Sequence, residues 1–358
     1  MVTTSLRELA DHEGPFVSVY VDSIQNTEDA QHQQRLRRRA IRGELTERGA
    51  PAALLEAVDD ALTTAPPGRA GQAVIAGRDE VLVAEALPTP PPQPVVRLSP
   101  LPYLLPLLQL REPTTPYVLV IADRSGADIR GVDARGHRLV QTVRGVEHPL
   151  HKVGGGGWSH RSLQQHVEDT VRRNVAAVAA EVARLADRAG ATLVLVAGET
   201  TIRSAVTDAL VPRGRRVIQL ESGSRAPGSD PEAMEAQVRR ILHEEAELRR
   251  RAVVELFTQE RARARGLAAQ GIAATTAALR EANADTLLID ADTLGDRAVR
   301  VGTDPTQVVP VDLALNRTWL RRADEALPLA ALAGRGCVVT TGRDHAPAEG
   351  VGALLRHG

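Results

Sequence analysis

The residues with the most chemistry per position lie in one stretch, His151-Lys152-Val153-Gly154-Gly155-Gly156-Gly157-Trp158-Ser159-His160-Arg161. Four consecutive glycines bury no side chain and lose the most entropy on ordering, so what they offer a partner is backbone. Lys152 is the sole lysine of the chain and Trp158 one of its two tryptophans. Amides from Gly154, Gly155, Gly156 and Gly157, an indole, and the polar groups of Lys152, Ser159, His160 and Arg161 form a set suited to stacking on RNA bases and bonding phosphates. Other chemistry fits less well. His148, His151, His160 and His166 raise zinc, but no cysteine or carboxylate stands among them at ligand spacing, so no metal is expected. The glycines are not followed by Lys-Ser or Lys-Thr and do not lead from a strand into a helix, so neither phosphate-loop fingerprint is met. No cofactor is expected.

A second cluster is cationic. Arg35, Arg37, Arg38, Arg39 and Arg42 fall within eight residues, with no acid until Glu44. Such a run is either a solvated helix face or a contact for a polyanion. The formal net charge of −1 gives no global attraction to nucleic acid, so any such binding comes from local patches. Gly198-Glu199, after an apolar run, reads as a ligand site at a strand end or an ordinary strand-to-helix turn. The single cysteine, Cys337, cannot form an intramolecular disulfide and reads as a buried structural thiol.

The elements that must position these groups follow from periodicity. A chain of 358 residues suggests two or three domains, and with 2% aromatics their cores must be Val, Leu and Ala. Residues 16–21 read as a buried strand. Helices are expected over 31–48, with Leu36, Ile41 and Leu45 inward, and over 52–62. A hairpin joins 73–76 to 81–84, and the proline-rich run 88–94 closes a first α/β domain, 1–112. A middle domain, 113–222, opens with a meander over 117–122, 127–132 and 138–143. A long helix follows, with Ser162 and Gln165 as a capping box and Leu163, Val167, Val171, Val175, Val178, Val182 and Leu185 as its stripe. It stops near Gly190. Strands at 192–196 and 217–220 flank a helix at 201–210, which implies a mixed sheet with helices on it. The last domain, 223–358, starts with a long helix from Pro231 that turns Met234, Val238, Ile241 and Leu248 inward. A small α/β/α sandwich follows: helices at 272–281 and 313–327, strands at 286–289, 298–301, 338–340 and 351–355. The fold class is therefore α/β (α+β) in three domains. No signal core and no apolar window of membrane length are present, so a cytoplasmic protein without membrane contact is expected.

Three further groups of residues carry a resemblance. They are Val19-Tyr20-Val21-Asp22-Ser23 with Asn26-Thr27-Glu28-Asp29-Ala30, then Gly156-Gly157-Trp158-Ser159-His160-Arg161 with Gln164-Gln165-His166-Val167-Glu168-Asp169, and Glu349-Gly350-Val351-Gly352-Ala353-Leu354-Leu355-Arg356. In these the chain resembles the bacterial branch of the archaeo-eukaryotic release factors and Pelota. It is more closely similar to the actinobacterial group related to the ribosome hibernation factor Balon. The resemblance implies a first domain near the decoding centre, a middle domain that carries its loop to the peptidyl transferase centre, and a last domain that meets a translational GTPase. Its partners would be the ribosome, through the RNA of both subunits, and elongation factor Tu or another translational GTPase. Hydrolytic members carry Gln directly after Gly-Gly, where this chain has Trp158. No stop-codon-reading motif is found in 1–112. A non-catalytic A-site factor of hibernation or stress is therefore expected. The alternatives are a ribosome-rescue peptidyl-tRNA hydrolase or nuclease with His160 or Glu168 as base, and a small-ligand or scaffold protein.

Overall fold

The computed structural model describes residues 6–23, 30–63, 70–78, 80–111, 115–134, 136–144, 159–223, 230–313 and 316–358; for 30–31 and 159–167 it describes the backbone alone. The chain is mixed α/β. It divides into two compact units, Met1–Glu112 with Arg249–Gly358, and Pro113–Leu248. The first and last of the three expected segments thus share a unit, and the second break falls after Leu248 instead of after 222.

The first unit is built on β1 (Phe16–Asp22), followed by α1 (Ala30–Glu47), α2 (Ala52–Thr63), β2 (Gly71–Gly77), β3 (Glu80–Leu87), β4 (Val95–Ser99) and α3 (Leu105–Leu110). The sheet order is β3-β2-β1-β4, antiparallel throughout. β1 is covered on both faces, which is why its sequence is apolar without alternation. Val17, Val19 and Val21 meet Ile41 and Leu45 of α1 and Leu54, Val58 and Leu62 of α2, while Phe16 and Tyr20 belong to the opposite core with Leu104 and Leu107. Leu36 is 50% exposed and does not join them. It stands five residues before Ile41, a step that rotates about 140° off the stripe. β4 was not anticipated: the stiff proline run delivers it alongside β1, Phe16 opposite Ser99.

The second unit contains β5 (Tyr117–Asp123), β6 (Gly126–Val132), β7 (Arg138–Arg144), α4 (Ser159–Ala189), β8 (Leu193–Gly198), α5 (Thr200–Leu210), β9 (Arg216–Gln219) and the first part of α6 (Pro231–Ala262). Its sheet runs β7-β6-β5-β8-β9, an antiparallel meander joined to a parallel pair. β5 alternates between two cores. Val118, Val120 and Ala122 face α4 and α5; Leu119 and Ile121 meet Met234, Val238 and Ile241 of α6. Leu248 does not extend that stripe and is 49% exposed, because the apolar cluster it would join ends at Ile241 and Leu242.

The remainder of the first unit adds β10 (Ala268–Gln270), α7 (Ile272–Arg280), β11 (Ala284–Ile289), α8 (Ala291–Leu294), β12 (Ala298–Val301), β13 (Val308–Val309), β14 (Trp319–Arg322), α9 (Ala323–Ala333), β15 (Cys337–Thr340) and β16 (Val351–Leu355). Two sheets result, β10-β16-β11-β15 and β13-β12-β14. The helix expected over 313–327 is formed only from Ala323 onward. Arg317 takes a left-handed φ of 55°, which breaks any helix there, and the chain continues as a strand before α9 starts at Ala323. Cys337 is exposed, contrary to expectation, because it opens an edge strand paired only with β11. Among the described residues no helix is long and apolar enough to cross a membrane.

Candidate functional site

α4 is the element that carries the glycine run, and its own sequence roots it. Val175, Val178, Val182 and Leu185 are buried with Ala179 and Ala186 against Val118, Val120 and Ile129. None of residues 168–173 is buried. The helix has 31 residues and is about 46 Å long at 1.5 Å per residue. It begins at Ser159, three residues before the expected cap, so Ser162 lies inside the first turn and not at the N-cap. The physical reason is that Gly157 is the last helix breaker; nothing from Trp158 to Arg161 opposes a helix. Ser159, His160 and Arg161 supply the opening backbone turn. Lys152, Gly154, Gly155, Gly156, Gly157 and Trp158 lie outside the described residues, as do the side chains of 159–161 and of the four histidines weighed for zinc. Further along, charge is locally balanced. Arg172 pairs with Asp169 at 2.8 Å, and Arg173 donates to the Asp169 carbonyl at 3.3 Å.

The buried end of α4 is tied down by a polar clamp. Asn174 donates to the Arg124 carbonyl at 3.1 Å, and the Arg124 guanidinium meets Glu199 at 3.1 and 2.7 Å. Asn174 was missed in the sequence, although one amide on an apolar stripe is a signal that something polar faces it. Gly198 has φ 121°, and a Cβ there would sit 1.9 Å from the Ala122 carbonyl oxygen. The Glu199 N–H then donates to that same oxygen at 3.3 Å. Gly198-Glu199 is thus a strand-to-helix turn whose carboxylate serves Arg124. Beside it α4 and α5 leave an apolar groove lined by Val171, Val175, Ile202, Ala205 and Ala209.

The arginine cluster on α1 is less unopposed than its sequence suggests. Arg38 makes a two-pronged bond to Asp59 of α2, Nε to Oδ1 at 2.8 Å and Nη2 to Oδ2 at 2.6 Å. That bond holds the Asp59 carboxyl below its ordinary range and raises the Arg38 guanidinium. Arg37 meets the Asp22 carboxylate at 3.4 Å and also donates to the Asp22 carbonyl. Arg35, Arg39 and Arg42 are exposed. Of these, Arg39 and Arg42 have no carboxylate partner among the described residues. The surface that α1 offers to an anion is therefore narrower than five arginines.

One charged cluster was invisible in the sequence. Arg97 of β4 bonds Asp324 at 3.0 Å and Glu325 at 3.2 Å, and lies 3.4 Å from the centroid of the Tyr103 ring. Ser99 donates to Glu325 at 2.5 Å, and Arg322 bonds Asp324 twice at 3.0 Å. Burial pushes the Glu325 carboxyl up, only partly offset by the Ser99 bond. The cluster joins β4 to the start of α9. All four carboxylate oxygens in it accept a hydrogen bond, so it is a structural link. Among the described residues no group of three or more His, Cys, Asp or Glu is placed to hold a metal.

Comparison with known proteins gives the following. Residues 116–263 match the model of bacterial archaeo-eukaryotic release factor family 2. An uncharacterized protein of Mycobacterium tuberculosis, found in strain H37Rv and in strain CDC 1551 / Oshkosh, is 37% identical over 379 residues, which cover 100% of this chain and 97% of that protein. Among solved structures, the archaeal translation termination factor aRF1 aligns at 18% identity with a TM-score of 0.25, over 98% of this chain and 96% of that one. An archaeal Pelota, in a model of its ribosome-bound state with ABCE1, aligns at 15% identity with a TM-score of 0.43, over 99% and 95%.

Proposed function

The chain belongs to the bacterial archaeo-eukaryotic release factor family, a family of Pelota-like translation factors, and from that premise we propose that it is a non-catalytic ribosome-binding factor. It occupies the A site of idle ribosomes in hibernation or stress. The observation that carries this reading is α4, whose described residues are buried only from Asn174 onward and whose first turn directly follows the glycine run and Trp158. In this reading Lys152, the amides of residues 154–157, Trp158, Ser159, His160 and Arg161 contact ribosomal RNA of the large subunit. The exposed Arg35, Arg39 and Arg42 of α1 contact RNA of the small subunit. A translational GTPase, elongation factor Tu in the resemblance, is the delivery partner.

The test is co-sedimentation with ribosomes from starved cells at low salt. The protein is expected in the ribosomal pellet and to leave it as salt rises. Protein that stays in the supernatant at low salt overturns the reading. Hydrolysis is a separate question. Trp158 stands where the water-ordering glutamine of hydrolytic members would stand, so peptidyl-tRNA on a stalled ribosome is expected to remain intact. Release of the nascent chain by purified protein would replace this reading with a rescue hydrolase.

A further inference from the structure

We propose that the outer edge of β14 is a docking site for an extended acidic peptide of a partner protein, which adds to the β13-β12-β14 sheet as a fourth strand. This site is distant in sequence from the glycine run and goes beyond the reading above.

Three observations carry it. First, the backbone there is unpaired among the described residues. β14 pairs with β12 alone, and the ladder continues through the Ala323 N–H, which donates to the Arg297 carbonyl at 2.9 Å. Antiparallel residues alternate, so Trp319 and Arg321 turn their N–H and C=O groups toward β12, whereas both groups of Leu320 and the N–H of Arg322 turn outward; the Arg322 carbonyl opens α9 as its N-cap. The Leu320 carbonyl is met only by the guanidinium of Arg321, which folds back to it at 2.9 Å. Such an edge is a template for a further strand.

Second, the edge exposes large apolar side chains. Of the nine large apolar side chains exposed among the described residues, Trp319 and Leu320 lie on β14 itself, 48% and 55% exposed. Leu320 sits across the ladder from Arg300, so their side chains share a face of the sheet. Exposed apolar side chains that gather at an unpaired edge mark an interaction surface.

Third, the free charge on the edge strand itself is basic. Arg300, Arg317 and Arg321 have no carboxylate partner among the described residues, whereas Arg322 is held by Asp296 and Asp324. An incoming strand that alternates acidic and aliphatic residues would set carboxylates beside Arg321 on one face and aliphatic groups beside Leu320 on the other. RNA would use the arginines and Trp319 but would leave Leu320 against water, so a peptide is the better occupant.

The test uses the full chain and fluorescence anisotropy of a labelled peptide alternating glutamate and valine. Its controls are the lysine counterpart and the same peptide with alternate amides N-methylated. The acidic peptide is expected to bind at least about tenfold tighter than either control. Leu320→Pro removes only an outward N–H, which an edge strand tolerates, and should cut binding by about tenfold. Arg321→Glu should reverse the preference between acidic and basic peptides. Equal binding of the N-methylated peptide overturns strand addition without any variant having to fold. So does unchanged affinity in Leu320→Pro. A polyuridylate oligonucleotide that displaces the acidic peptide and loses its own binding in Arg321→Glu would assign the surface to RNA and overturn the proposal. None of these readouts depends on whether the protein pellets with ribosomes.

Discussion

Arg38 on α1 and Arg97 on β4 belong to the same unit, and each grips carboxylates through a guanidinium. They differ in water. The side chains of Arg38 and Asp59 are 26% and 27% exposed, whereas the two acids on Arg97 are 5% and 1% exposed. A pair that keeps part of its hydration contributes little net, because solvent takes back either partner when the other is lost. A buried acid has no such recourse: without its cation it stays desolvated and unpaired, or must take a proton. The same contact is therefore minor in one place and structural in the other. The largest expected effect tests this directly. Arg97→Ala should cost about 3 kcal/mol, held below the upper end of that class because Arg322 still serves Asp324. Arg38→Ala should cost between about 0.5 and 1 kcal/mol. Urea unfolding followed by circular dichroism measures both, and equal losses would break the comparison.

The two sites should also respond to pH with opposite sign. Arg38 lowers the folded pKa of Asp59, so the stability this carboxylate contributes is present above its unfolded pKa, about 4, and is lost as pH falls through the folded value. Burial raises the folded pKa of Glu325, so its contribution is full below the unfolded pKa and is lost as pH rises through the folded value. Relative to the parent chain, Asp59→Asn should thus be most destabilised at neutral pH and recover below about 4. Glu325→Gln, which keeps an acceptor for Ser99, should be at its relative worst in acid and improve toward neutral pH. Thermal melts at a series of pH values read both slopes, and slopes of the same sign would show that burial does not separate the sites.

That difference also explains what could be read before the fold was known. Periodic burial was legible: the strand at 16–21, the meander, and the stripe from Val175 to Leu185 all follow from spacing that no distant residue can alter. The charge at Arg37 and Arg38 was misjudged because Asp22 and Asp59 are separated from them by 15 and 21 residues, and only packing brings them near. Arg97 with Asp324 and Glu325 is the extreme case, at separations of 227 and 228. Local sequence also failed at the start of 313–327. Apolar residues there suggested a helix, yet Arg317 turns and Trp319-Leu320 pair with β12, a choice made by the partner strand. The glycine run lies outside the described residues; composition alone makes it conspicuous, because four glycines followed by tryptophan need no partner to stand out.

The smallest effect on stability should come from Arg39 and Arg42, and it sharpens the contrast most. Both are exposed and neither has a carboxylate partner among the described residues, so Arg39→Ala and Arg42→Ala should each stay within about 0.5 kcal/mol of the parent chain. If they contact phosphate on a ribosome, each removes roughly one released counterion. The slope of log affinity against log salt should then become shallower by about one per arginine. Arg38→Ala should change that slope much less, because its guanidinium is already committed to Asp59 on two prongs. Ribosome pelleting across a salt series, with the three variants side by side, separates the roles. A slope that responds to Arg38 as strongly as to Arg39 and Arg42 would mean that the Asp59 bond opens on binding, and that the arginines of α1 act as one surface after all.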